Sequence, residues 1–113
     1  MYHYEAQVLR IIDGDTFEAM VDLGFKSYTK LKFRLSGIDT PEIYRPSCDA
    51  ELEHGKAATE YLKELIEGKM VLISTHKLKQ ELYNRWGADV CLKDGQDIAT
   101  LMKRAGYEKK ESY

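Results

Sequence analysis

Phe33-Arg34-Leu35-Ser36-Gly37-Ile38-Asp39-Thr40-Pro41-Glu42 is the stretch whose reading decides the fold. It opens as a strand. Leu31, Phe33 and Leu35 alternate with Lys30, Lys32, Arg34 and Ser36, the period of two that buries one face of a sheet and leaves the other polar. The pattern then breaks. Gly37 permits a bend or a close backbone approach, Pro41 pushes Thr40 toward extended geometry, and the strand is expected to run out at Asp39. Asp-Thr-Pro is by itself ordinary turn chemistry. What sets the stretch apart is that it gathers a guanidinium and two carboxylates, the second just past a rigid turn.

A companion lies upstream. Ile12-Asp13-Gly14-Asp15-Thr16 sits between two apolar-rich runs and reads as a tight Asp-Gly hairpin connection, which delivers Asp15 to the start of the next strand. Two strand-end aspartates, a strand arginine and a glutamate beyond a proline converge only if the strands curl into a compact barrel.

Outward from these stretches, a first strand is expected over Tyr4 to Ile12 and a second over Thr16 to Leu23, with Phe17, Ala19, Val21 and Leu23 on one face. The third, Thr29 to Ile38, completes a meander. The polar segment from Glu42 to His54 is irregular, and Arg45-Pro46-Ser47 forbids a regular element there. Ala58, Tyr61, Leu62 and Leu65 then fall at helical spacing, giving a helix from Glu51 or Lys56 to Glu67 that Gly68 closes. Val71 to Thr75 reads as a short buried strand, His76 to Asn84 as a charged loop, and Trp86 to Leu92 as a fifth strand. Asp97 can cap a second helix in which Ile98, Leu101, Met102 and Ala105 repeat before Gly106.

Composition sets the outer bounds. The 113 residues, 43% hydrophobic and 32% charged, suit one globular domain over residues 1–113. Lys and Arg number 17 against 19 Asp and Glu, a formal net charge of -2, so binding to nucleic acid has to rest on a local positive patch or a bridging cation. A row of Lys26, Lys30, Lys32 and Arg34, joined by Lys77 and Lys79, would supply such a patch. No basic segment leads into an apolar core at the start, and no run reaches membrane-spanning length. The expectation is therefore a cytoplasmic protein with no membrane association and no obligate protein partner. Cys48 and Cys91 are too far apart for a Cys-x-x-Cys site and read as free thiols.

Asp13-Gly14-Asp15-Thr16, then Phe33-Arg34-Leu35 with Gly37-Ile38-Asp39-Thr40-Pro41-Glu42, then Tyr83-Asn84-Arg85, resembles the staphylococcal nuclease (thermonuclease) family in order, spacing and residue type. The resemblance runs from about Ala6 to about Gly106. It implies a mainly β, α+β fold: a five-stranded Greek-key barrel of the OB type, with a helix after strand three and a C-terminal helix. It also implies Ca²⁺-dependent hydrolysis of phosphodiester bonds in DNA, and in RNA as a second substrate, leaving 3′-phosphate ends.

The residues carry that chemistry in principle. Asp15 and Asp39 offer hard oxygens suited to Ca²⁺, and the Thr40 carbonyl can add a third. Glu42 is the candidate general base, by proton abstraction or by orienting water. Arg34 and Arg85 are planar forks able to grip two phosphate oxygens as charge grows in the transition state. By the same resemblance Tyr83 lines the nucleotide pocket, although Asn84 here stands where Tyr-Gly-Arg is commoner. Trp86 has two readings, stacking on a base or filling the barrel. Cys48, Glu51, Gly55 and Ala58 share a spacing seen in many such domains and read as packing. The alternative for the whole chain is a noncatalytic nucleic-acid-binding barrel.

Overall fold

The computed structural model describes residues 2–75, 80–81 and 85–113, the pair 80–81 as backbone only. Strands β1 (Tyr2–Ile11), β2 (Thr16–Gly24) and β3 (Ser27–Leu35) form the meander, followed by helix α1 (Asp49–Ile66), strand β4 (Met70–Thr75), the two-residue strand β5 (Gln80–Glu81), strand β6 (Arg85–Cys91) and helix α2 (Ile98–Arg104). The sheet order is β3-β2-β1-β4-β6-β5. Parallel pairing of β3 with β6, from Lys32 opposite Arg85 to Leu35 opposite Ala88, closes it into the five-stranded OB-type barrel. The short β5 adds to β6 inside the segment expected as loop.

Alternation along β2 explains why it is central. Phe17, Ala19 and Val21 are buried and touch the residues that alternate inward from β3, Phe33 among them, whose ring centroid lies 5.7 Å from that of Phe17. Leu23 departs from the expected inward face and is 46% exposed. The pairing of β2 with β1 ends at Val21 opposite Ala6, so beyond it β2 and β3 run on as a two-stranded arm on which Leu23 is only partly covered.

Strand β3 stops at Leu35, three residues before the expected Ile38. Gly37 is the cause. Its φ of +85° is a left-handed turn that a side chain would strain, so the backbone leaves the ladder before Pro41 can end it. Helix α1 begins at Asp49, earlier than either expected start, and its first buried positions are Glu51 and Gly55. Apolar periodicity begins only at Ala58. Gly68 (φ +75°) turns the chain after α1, donating to the Val8 carbonyl at 3.0 Å, and Asp97 caps α2 by accepting from the Thr100 amide at 3.0 Å. The helices meet the barrel through Leu62, Ile66, Ile98 and Met102, all fully buried.

Candidate active site

Ile11 and Thr16 flank a wider connection than a two-residue hairpin, in which the amides of Ile12 and Asp13 both donate to the Thr16 carbonyl at 2.9 and 3.2 Å. The Asp15 amide donates to Asp13 Oδ1 at 3.0 Å. Gly14 serves proximity here: a Cβ would stand 2.8 Å from Thr40 Oγ1 and 3.0 Å from the Ala58 Cβ. The turn is thereby pressed against the Thr40 loop. Asp15 is buried at 7% exposure, its carbonyl accepts from the Leu35 amide at 2.8 Å, and its Oδ2 accepts from the Thr40 amide at 3.3 Å.

Arg34 occupies the centre. It lies opposite Thr16 in the β2–β3 ladder, and its Nη2 is 3.6 Å from Asp15 Oδ2 and 3.3 Å from Asp39 Oδ1. The same nitrogen donates to the Ile38 carbonyl at 3.3 Å, and Nη1 donates to the Leu35 carbonyl at 3.2 Å. One planar fork thus spans the strand end and the loop beyond it. Arg85 approaches from β6, donating from Nη1 to Thr16 Oγ1 at 3.2 Å, while that hydroxyl donates to Asp15 Oδ1 at 3.1 Å.

Asp15, Arg34, Asp39, Thr40, Glu42 and Arg85, six of the seven site positions expected from sequence, line one hollow of about 600 Å³. Tyr83, the seventh, lies outside the described residues, as do Lys77 and Lys79. Lys30 and Lys32 share a face of β3 with Arg34, and Lys32 lines a smaller recess beside Arg85. Trp86 is elsewhere. It packs on the core and lines a separate apolar cavity of about 130 Å³ with Tyr4, Leu31 and Phe33, which matches the barrel-filling reading.

The structure adds residues that sequence reasoning did not assign. Asp13, Tyr44 and Arg45 also line the hollow, and the Tyr44 hydroxyl reaches the Ile12 carbonyl at 3.4 Å. An aromatic and an arginine within three residues of Glu42 were the available signal. The Asp13 carboxyl is pushed up to about 7, chiefly by burial and further by the hydrogen bond and charge of Asp15. Glu51 is fully buried beneath the Glu42 loop, and the Glu51 carboxylate is held down at about 2, first by the Ser47 amide.

Among the described residues no three His, Cys, Asp or Glu side chains are grouped to hold a metal. The donor chemistry nevertheless fits a hard cation. Asp15 and Asp39 both reach the same guanidinium nitrogen, and Thr40 lines the same hollow; hard oxygens of this kind would suit a cation such as Ca²⁺.

The model of the staphylococcal nuclease homologue family matches residues 32–113. The chain belongs to that family. Similar relatives include the staphylococcal nuclease domain-containing protein 1 of Schizosaccharomyces pombe, 31% identical over 107 residues, which cover 92% of this chain and 11% of that protein. The thermonuclease of Staphylococcus intermedius is 33% identical over 96 residues, 85% of this chain and 54% of that one. The chain thus spans about half or less of the length of these members of the staphylococcal nuclease family. The family's matched span includes Arg34, Asp39, Thr40, Glu42 and Arg85, while Asp15 precedes it.

Proposed function

We propose that this chain is a Ca²⁺-dependent, largely sequence-nonspecific nuclease that hydrolyses phosphodiester bonds of DNA and RNA and leaves 3′-phosphate ends. The observation that carries the reading is the convergence of two aspartates on one Arg34 nitrogen, in a hollow that also takes in Glu42 and Arg85. The relative from Staphylococcus intermedius is named a thermonuclease, which supports the same direction.

Asp15, Asp39 and the Thr40 carbonyl would hold the cation. When bound, Ca²⁺ supplies positive charge to a phosphate oxygen and a hydration shell beside the scissile bond. The chain's own residues do the rest. Glu42, exposed on the rim, accepts a proton from the attacking water or fixes its lone pair toward phosphorus. Arg34 and Arg85 neutralise the equatorial oxygens as the water oxygen bonds to phosphorus and the bond to the 5′-oxygen breaks, that oxygen leaving as a 5′-hydroxyl with a proton from solvent, an effect worth about 10²–10³ in rate per donor in comparable sites. The Thr16 hydroxyl, bonded to both Arg85 and Asp15, sets the distance between the guanidinium and the carboxylate. The row of Lys30, Lys32 and Arg34 supplies sequence-independent attraction for the phosphate backbone.

A digestion series of single-stranded DNA, duplex DNA and RNA in Ca²⁺, Mg²⁺ and EDTA tests the proposal. Cleavage is expected with Ca²⁺ and none with EDTA. Cleavage undiminished by EDTA would overturn the metal dependence, and binding without turnover in every condition would leave a noncatalytic binding barrel.

A further inference from the structure

We propose that the buried Glu51 carboxylate is a positioning residue that fixes the backbone of Glu42, with Lys109 clamping it from the C-terminal segment. The idea rests on the nuclease reading for its kinetic consequence, but not for the anchoring itself.

Glu51 is 1% exposed, and carboxylates are almost never so buried unless paired. Its partners come from three places. Oε1 accepts from the Ser47 amide at 2.6 Å, Oε2 accepts from the Glu42 amide at 3.3 Å, and Lys109 Nζ stands 3.4 Å from Oε2. The Ser47 contact alone would be a helix cap, since Glu51 lies in the first turn of α1 and the N-cap Cys48 makes no side-chain cap bond. A cap needs no burial and no second acceptor oxygen. The Glu42 contact has a different effect: it ties the loop that follows Pro41 to a rigid helix.

Further contacts close the loop against movement. Gly55, one turn along α1, leaves so little room that a Cβ would meet the Pro41 carbonyl at 2.7 Å. The Lys109 amide donates to the Asp39 carbonyl at 2.7 Å, so one residue of the C-terminal segment holds both Asp39 and Glu51. His54 on α1 secures that segment through the Gly106 carbonyl at 2.7 Å and the Tyr113 hydroxyl at 2.6 Å. Backbone on both sides of Pro41 is thereby pinned, which is what a side chain acting on a water molecule needs, because small displacements are costly in rate.

Full-length Glu51→Gln and Lys109→Met proteins separate the possibilities. Gln keeps shape but can accept from only one of the two amides and loses the ammonium. Glu51→Gln is expected to lower kcat on single-stranded DNA by about ten- to a hundredfold, with KM within about twofold, and to remove amide-exchange protection at Glu42. Lys109→Met, which leaves both amide contacts, is expected to cost only a few-fold. Equal losses in the two variants, tracking their melting temperatures, would reduce Glu51 to half of a structural ion pair. Wild-type kcat in Glu51→Gln would overturn the kinetic role. If the wild-type protein cleaves nothing, the nuclease reading fails, and Glu42 amide exchange alone decides: protection lost in Glu51→Gln supports the anchoring, and protection retained refutes it.

Discussion

Arg34 does with one guanidinium what would otherwise take several residues, bridging Asp15, Asp39 and two carbonyls. A lysine keeps the charge and loses the fork, so Arg34→Lys is expected to cut the cleavage rate by about 10²–10³ while the protein stays folded; a loss below about tenfold would deny the fork its role. Asp13 makes a separate prediction. Its carboxyl sits near 7 in the fold against an ordinary value of 3.8, so the folded chain binds more protons than the unfolded chain between those values. Its contribution to stability therefore falls as pH rises from about 3.8 to about 7. Asp13→Asn keeps the acceptor for the Asp15 amide, and in EDTA it should melt above the wild type at pH 8 and level with it near pH 4. A difference independent of pH would contradict this. That Asp15, Arg34, Asp39 and Glu42 come to one hollow was legible because their chemistry is bunched in two short stretches. Glu51 was not legible as anything but packing, because its partners Glu42 and Lys109 are brought to it by the fold.

At the scale of elements, strand β3 and helix α1 differ from expectation for related reasons. Alternation reports burial but not the backbone angle, so the left-handed Gly37 ended β3 at Leu35 although Ile38 is itself buried. Apolar periodicity left the start of α1 open between Glu51 and Lys56, both later than Asp49, because what its first two turns bury is a carboxylate and a glycine. That glycine carries the prediction at this scale. Alanine favours a helix interior over glycine by about 1 kcal/mol, but a Cβ at Gly55 would stand 2.7 Å from both Ile43 Cγ2 and the Pro41 carbonyl. The backbone carbonyl has to give, so Gly55→Ala is expected to destabilise by about 1–3 kcal/mol in urea unfolding and to slow cleavage through the Glu42 loop. A more stable, fully active variant would show that the loop is not held where it is described.

For the molecule as a whole, the decisive contact is the parallel pairing of β3 with β6, which carries Arg85 beside Thr16. No local pattern encodes a parallel pairing between strands fifty residues apart. Periodicity yielded the strands and helices, and barrel closure was legible only through the family resemblance. The buried Glu51 carboxylate, held first by the Ser47 amide and then by the Glu42 amide and Lys109, gives a global pH signature. Glu51 is held near 2 against an ordinary 4.5, so its stabilisation is complete above about 4.5 and is lost as pH falls toward 2. Glu51→Gln should flatten the acid limb of the stability curve in that window; an unchanged limb would contradict the assignment. Ligand linkage acts on the same whole-molecule scale: Ca²⁺ should raise the melting temperature of the wild type in a concentration-dependent way and leave Asp39→Asn nearly unmoved. Equal shifts in both would place the cation elsewhere. The most direct measurement is the single-turnover rate of single-stranded DNA cleavage in saturating Ca²⁺ for wild type and Glu42→Gln. A fall of about 10²–10⁴ is predicted for the variant, and equal rates would contradict the account.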